Sequence, residues 1–459
     1  MIDVLLRQRR YFDGGDTVSL DFRREQLTIL SQTIVANRDR ILAALQEDLG
    51  KSPIEAYSGE IGFVLRDIDH AIRHLPQWME PEKRRTPWMT APSRAEVRPD
   101  PLGVVLILGP WNYPFQLLLS PLVGALAAGN CVCLKPSEKA PATAEVIRSL
   151  MEGAFSPDYV TVCPGGAAVA ADLVALPFDH IFFTGSGGVG RKVLASAAGN
   201  LTPVTLELGG KSPCVVTGGA NLRLSARRIM WGKILNAGQT CVAPDHVLVE
   251  ASVRDRLLEE LKAASHAMIP RRPPEARPAD YGRMIDEAHF DRMEGFLEQG
   301  EIHSGGERDR ETLVFCPTIL VDVEPGASVM EEEIFGPVLP VLPCDGLDEA
   351  VSVIRSRPKP LAAYLFSSDG NEMDRFKAEV FSGSIGINDT ISQIFPADLP
   401  LGGVGASGFG SYRGKAGFDT FSHRKSVLQR GTFLDPGFRY PPHGTDLKRV
   451  IQGYPWLMR

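Results

Sequence analysis

Leu27, Leu30, Ile34, Ile41, Leu45 and Leu49 recur at three-, four- and seven-residue steps until Gly50 stops the pattern. This is the spacing of one helical face. Ile54, Tyr57, Ile61, Val64, Ile68, Ile72 and Leu75 predict a second helix, and both stripes are expected to face a core. Between Pro81 and Pro101 the texture turns Pro- and Arg-rich and alternates around Arg94 to Arg98, as a β-hairpin leaving the main body would. Strand patterns then follow at Gly103–Leu108, Cys131–Leu134, Tyr159–Cys163, His180–Thr184 and Val204–Leu208. Helical patterns separate them near Leu117–Ala128, Ala142–Met151, Ala167–Leu176 and Val189–Ala198. Such alternation predicts a mainly parallel sheet covered on both faces, an α/β fold. A second α/β stretch is expected from Gly209 to Tyr412, with Arg271 to Pro278 a surface loop inside it. The Pro- and Gly-rich tail beyond Thr432 is expected to lie over the surface.

Length sharpens this picture, because 459 residues exceed one compact core and two or three domains are expected. A net charge of −7 argues against nucleic acid or an anionic membrane as partner. Seven cysteines without regular spacing do not form a disulfide framework, so a reducing compartment, the cytoplasm, is expected. No apolar run follows the arginines of the first ten residues, so a secretory signal is not expected. Pro101 to Leu134 carries no charged side chain and is long enough to span a bilayer. Four prolines punctuate it, however, and a buried strand–loop–helix is the expected form. Without a Cys-x-x-Cys pair, no metal is expected.

After the His180–Thr184 strand comes Gly185-Ser186-Gly187-Gly188-Val189-Gly190 and then a helix, which fits the dinucleotide pattern in its required context. That pattern also wants a carboxylate about 20 residues on, to hold a ribose. Glu207 stands near that distance, but it opens the run Leu208-Gly209-Gly210-Lys211. Lys135-Pro136-Ser137-Glu138, at the end of an earlier strand, is a second candidate for the ribose. On these residues alone that turn reads first as a solvent-exposed one.

Among the cysteines, Cys131, Cys133 and Cys214 sit in apolar strand patterns, where cysteine behaves as a small hydrophobe. Cys163, Cys316 and Cys344 lie near strand ends, with no chemical neighbour evident in the sequence. Cys241 follows Gly238-Gln239-Thr240 at the end of a helical stretch and is the least core-like. A single cysteine is nevertheless structural by default.

Taken in order, the motifs resemble those of the NAD(P)-dependent aldehyde dehydrogenase superfamily, nearest its class 3 (fatty and aromatic aldehyde) branch. The resemblance spans nearly the whole chain. It rests on Pro110-Trp111-Asn112-Tyr113-Pro114, Lys135 to Glu138, Phe183 to Ser186, Leu206 to Lys211, Gly238 to Cys241 and Glu332 to Pro337. Leu401 to Gly408 and Thr420 to Lys425 complete it.

This resemblance implies a role for each matching residue. Cys241 is implied as nucleophile, forming a thiohemiacetal and then a thioester, and Glu207 as the base that activates water. The side-chain amide of Asn112, with the Cys241 N–H, would hold the oxyanion. Lys135 and Glu138 are implied at the adenosine ribose, and Gly185, Ser186, Val189 and Gly190 around the phosphates. Glu333, Phe335, Trp111 and the Leu208 carbonyl are implied at the nicotinamide end. Glu138 favours NAD over NADP, and NADP remains an implied option.

The implied fold is a Rossmann-type cofactor domain (1–80 and 101–208), an α/β catalytic domain (209–412) and a small β oligomerisation region (81–100 and 413–435). A C-terminal tail (436–459) follows, and the assembly implied is a homodimer. Two positions depart from the class 3 pattern: Leu401 stands where phenylalanine is usual, and Gln393 where some members have histidine. Both fall where the substrate entrance is expected, so they bear on substrate identity. The alternatives are a coenzyme A-acylating enzyme and a non-catalytic protein that keeps the fold. A water-activating Glu207 speaks against the first, and Cys241, Glu207 and Asn112 together speak against the second.

Overall fold

The computed structural model describes residues 1–269, 281–435, 439–442, 448 and 451–453. Its first sheet has six strands in the order Gly408–Phe409, Val204–Glu207, His180–Thr184, Val104–Leu108, Cys131–Lys135 and Val160–Val162. All neighbours are parallel except Gly408–Phe409, which runs antiparallel to Val204–Glu207. Val104–Leu108, Cys131–Lys135 and His180–Thr184 are buried at every position. Helices on both faces remove any polar alternation, which is why these strands read as continuous apolar runs.

A second sheet of seven strands orders Glu301–Ser304, Thr318–Val321, Val338–Cys344, His246–Glu250, Pro213–Val216, Ala362–Phe366 and Ser384–Ile387. Only Glu301–Ser304 is antiparallel to its neighbour. The charge-free segment forms the expected strand–loop–helix, and every residue of its helix, Gln116–Ala128, is buried. Among the described residues, no helix is long and apolar enough to cross a membrane.

The predicted hairpin exists as Glu82–Arg84 against Ser93–Pro101, but a third strand, Ser422–Arg430, pairs along all of Ser93–Pro101. That strand carries no apolar alternation, so its sequence gives no strand signal. Two helical expectations need correction. The first stripe is two helices, Leu20–Ala36 and Arg38–Leu49, broken at Asn37, whose side-chain amide bonds back to the Thr33 carbonyl. In the second, a π-turn at Tyr57–Ile61 inserts a residue into the helical register. The face therefore rotates, and Ile54 (77%) and Tyr57 (44%) are exposed instead of core-facing.

The expectation of no metal passed over His70 and His74, one helical turn apart. Their rings lie 4.2 Å apart, and His74 Nδ1 bonds the His70 carbonyl at 2.8 Å. Among the described residues, no group of three or more His, Cys, Asp or Glu is arranged to hold a metal. The Arg271–Pro278 loop lies outside the described residues. Those described beyond Thr432 include Phe433, Leu434, Tyr440 and Ile451, all exposed.

Candidate active site

Leu108, Lys135, Thr184 and Glu207 are each the last residue of a parallel strand. All four line one or both of two adjoining cavities. Ligands of open α/β sheets bind beyond such strand ends. The larger cavity, about 770 Å³, brings Asn112, Glu207, Leu208, Cys241, Glu333 and Phe335 together. The smaller, about 540 Å³, holds Lys135, Glu138 and Val189. Trp111, Gly185 and Ser186 line both. Gly190 lines neither; it is buried one turn into the Gly187–Ala197 helix, where a Cβ would press on Leu208 at 2.9 Å. Its missing side chain serves the close packing of helix on sheet.

Cys241 is aimed by a strained turn. Asn236, Ala237 and Gly238 all have left-handed φ values, 52°, 52° and 76°. Only glycine fits at 238, because a Cβ there would overlap the Gly336 carbonyl. For Asn236 and Ala237 such backbone costs about 1–3 kcal/mol each and persists only where its surroundings enforce it. Here Asn236 Nδ2 donates to the carbonyls of Asn112 (2.8 Å) and Gln239 (3.1 Å). Gln239 Nε2 returns bonds to the carbonyls of Asn236 (2.9 Å) and Arg283 (3.0 Å).

Asn112 Nδ2 donates one hydrogen to the Gln239 carbonyl at 3.0 Å. Its second hydrogen is thereby left for the cavity. The turn that carries Asn112 rests on a wholly buried ion pair absent from the sequence reading. Lys51 Nζ bonds Glu60 Oε1 at 2.5 Å and the Asn112 carbonyl at 2.8 Å. Glu60 Oε2 accepts the N–H groups of Phe115 (3.0 Å) and Gln116 (2.9 Å). Removing one partner of such a pair strands a charge in the interior, so Lys51→Met should cost about 3–5 kcal/mol. Urea unfolding should show that loss, and the double variant Lys51→Met, Glu60→Gln should recover part of it. Equal stability of Lys51→Met and the unaltered chain would refute this reading.

Burial acts on both chemical groups in the same direction, against the charged form. Burial raises the Glu207 carboxyl well above its ordinary value, and Oε1 has no hydrogen-bond partner. Burial, then Glu333 and Glu207, push the Cys241 thiol up to about 12, against N–H donation from Cys241 and Val242. Glu333 is likewise pushed up to about 8 by burial and Asp245, although it accepts the Gly210 N–H. It packs so closely over Gly209 that a Cβ there would overlap its carboxylate.

The smaller cavity carries the nucleotide features. Lys135 Nζ pairs with Glu138 Oε2 at 2.6 Å. Burial would raise Glu138, but this lysine outweighs it and holds the carboxyl below its usual range. Ser186 caps the Gly187–Ala197 helix, its hydroxyl accepting the Val189 N–H at 3.5 Å. Gly187 and Gly188 have open space where side chains would stand, next to a helix N-terminus suited to phosphate. The buried Thr184 hydroxyl, on the wall of both cavities, lacks a partner. These features fit a dinucleotide lying across the two cavities.

Three residues on this path were not singled out in the sequence. His289 lines both cavities and packs edge-on against Trp111, which packs edge-on against Phe335. Arg292, from the same helix, donates to the Glu333 and Ile334 carbonyls at 2.9 and 2.6 Å. Tyr412 lines the larger cavity. Each belongs to a common residue type outside any motif, so only tertiary proximity marks it. Of the two departures, Leu401 lines the larger cavity. Gln393 does not; its Nε2 bonds the Tyr364 hydroxyl at 3.0 Å, which in turn donates to the Val242 carbonyl.

The sequence profile of the Aldehyde dehydrogenase family matches residues 8–427. The chain is 43% identical to the dimeric NADP-preferring aldehyde dehydrogenase of Rattus norvegicus, covering 97% of this chain and 99% of the rat protein. It is also 43% identical to 4,4'-diaponeurosporen-aldehyde dehydrogenase of Staphylococcus aureus, covering 96% of each. The substrate-bound state of Staphylococcus aureus AldH superposes with a TM-score of 0.95 at 42% identity, covering 99% of both chains. By profile, sequence and structure alike, the chain belongs to the aldehyde dehydrogenase family.

Proposed function

We propose that this chain oxidises an aldehyde to a carboxylic acid with NAD(P), through a covalent bond to Cys241. The carrying observation is that Cys241, Glu207 and Asn112, far apart in sequence, line one cavity. The Cys241 sulfur attacks the aldehyde carbon as its proton passes to water. The free hydrogen of Asn112 Nδ2 and the Cys241 N–H stabilise the oxyanion, a contribution of roughly 3–4 kcal/mol per donor. The bound cofactor supplies a hydride acceptor. Glu207 then takes a proton from the water that hydrolyses the thioester. Burial raises this carboxyl and so makes its carboxylate a stronger base than an exposed one.

Lys135 and Glu138 hold the adenosine ribose, Ser186 and the adjoining amides the phosphates, and Glu333, Phe335 and Trp111 the nicotinamide end. Glu138 disfavours a 2′-phosphate, whereas Lys139 and Lys192 on the same cavity wall favour one. NAD with NADP as a second option is the resulting assignment. The substrate class is a medium- or long-chain aliphatic or an aromatic aldehyde, in keeping with Leu117 and Leu401 on the cavity wall.

Five strands of the six-stranded sheet, with their helices, form the cofactor domain (1–80 and 101–208), the edge strand Gly408–Phe409 being lent by the catalytic segment, and the seven-stranded sheet forms the catalytic domain (209–412). The three-stranded sheet (81–100 and 413–435) serves oligomerisation: Ser422–Arg430 is an edge strand, and among the described residues no strand pairs with its outer side, where a second copy could add one. A cytoplasmic homodimer is the assembly proposed.

A screen of NAD and NADP reduction over aliphatic and aromatic aldehydes of graded length tests this reading. Rates should climb with apolar length, and free acid should form with or without coenzyme A. Acyl-coenzyme A as sole product would overturn hydrolysis, and no reduction of either cofactor would overturn the enzyme assignment.

A further inference from the structure

The sequence leaves Cys163 without a chemical neighbour, but the fold gives it one: Cys133 Sγ donates to Cys163 Sγ at 3.4 Å. The pairing follows from strand register. Cys133 stands opposite Thr161 in the parallel pair of Cys131–Lys135 with Val160–Val162. Alternate residues share a face, so Cys133 and Lys135 lie on the same side as Thr161 and Cys163. Continuing the register by two places sets Cys163 beside Lys135, and the Cys163 N–H bonds the Leu134 carbonyl at 2.8 Å. Neither thiol has a part in the reaction proposed above.

We propose that Cys163 and Cys133 are a hydroperoxide-reactive dithiol, Cys163 the oxidised thiol and Cys133 its resolving partner, whose disulfide weakens cofactor binding through Lys135. Division of labour follows from the two environments. Cys133 is fully buried, whereas Cys163 is partly exposed. The S–H of Cys133 donates to Cys163 and favours its thiolate, overcoming burial, while the Cys133 thiol itself is raised. A more acidic, accessible thiol beside a second thiol is the usual arrangement of a redox-responsive pair. Cys241 is the opposite case, a thiol pushed up by burial and two carboxylates.

In the first step the Cys163 thiolate attacks one oxygen of the hydroperoxide. The O–O bond breaks, the other oxygen leaves as an alcohol after protonation, and Cys163 becomes a sulfenic acid. In the second, the Cys133 sulfur attacks Cys163, the S–O bond breaks and water leaves with the Cys133 proton. The dithiol loses two electrons and the peroxide gains them. Bond formation brings the sulfurs from 3.4 Å to about 2.05 Å. That movement draws together the two strand ends that present Lys135 and lead into Ala167, both of which line the smaller cavity. The effect on cofactor binding rests on the assignment of Lys135 to the ribose; the disulfide does not.

The test treats the full-length protein with hydrogen peroxide and reads two quantities. Non-reducing peptide mapping should show Cys133 joined to Cys163, and NAD titration should show Kd raised at least about fivefold. Dithiothreitol should reverse both. Under the same treatment Cys163→Ser should form no such link and keep its Kd, which also controls for oxidation at Cys241. Cys133→Ser should instead accumulate a Cys163 sulfenic acid that dimedone captures. No Cys133–Cys163 link while other cysteines oxidise, or no dimedone adduct on Cys163, overturns the proposal. A link with unchanged NAD affinity overturns the coupling to the cofactor. If Lys135→Ala leaves NAD affinity unchanged in the reduced protein, the ribose assignment has failed and the dithiol chemistry stands apart.

Discussion

Cys241→Ala should lower NADH production on the order of 10⁵- to 10⁶-fold, the scale of losing a covalent nucleophile, while NAD binding stays measurable. The reason is local. Cys241 lines the larger cavity, whereas Lys135 and Glu138 line the smaller one, so alanine removes the attacking atom and leaves the ribose contacts in place. Asn112, Glu207 and the strained turn at Asn236–Gly238 remain, and none can form a thioester. Single-turnover NADH formation and NAD titration on the same sample separate the two quantities. Retained turnover would assign the nucleophile elsewhere; lost NAD binding would mean that the cavity had collapsed.

Glu207→Gln should slow hydrolysis of the thioester by about 10²- to 10⁴-fold, the usual contribution of a general base. A first burst of NADH should survive, and intact mass should show the acyl group retained on the protein. Fast turnover with no adduct would remove Glu207 from this role. The same variant tests its electrostatics. Because the folded-state carboxyl is raised by burial, the native chain keeps a proton that the unfolded chain releases near pH 4.5. The folded state therefore binds more protons, and the stability tied to Glu207 is fully present below about pH 4.5 and declines as pH rises toward its folded pKa. Glutamine carries no such dependence. The melting temperature of Glu207→Gln should gain on that of the unaltered chain as pH rises above about 5. A difference that stays constant with pH would mean that burial does not raise Glu207.

Much of the fold was legible because its signals are local. Val104–Leu108, Cys131–Lys135 and His180–Thr184 read as buried parallel strands from unbroken apolar runs, and Gly185–Gly190 read as a strand–turn–helix from its glycines together with the apolar strand before them and the helix after. Ser422–Arg430 was not legible as a strand, since its partner lies more than 300 positions away and its own residues are mostly polar. Ile54 and Tyr57 were misplaced for a different reason. A π-turn depends on how the helix packs, and no periodicity in the sequence announces the extra residue.

The site divides the same way. Cys241, Glu207, Asn112, Lys135, Glu138 and Glu333 were visible because each sits in a short motif whose order along the chain carried the resemblance. His289, Arg292, Tyr412, Lys51 and Glu60 have no motif, and only the fold brings them to the cavity or beneath it.

The sequence by itself determined the element pattern, the family and the candidate reactive residues, because periodicity, turn chemistry and motif order are properties of neighbours along the chain. Only the tertiary structure decided the burial that raises Cys241 and Glu207, the support under Asn112, and the meeting of Cys133 with Cys163. Burial, strand register and long-range pairing set those properties, and they exist only once distant segments share one interior.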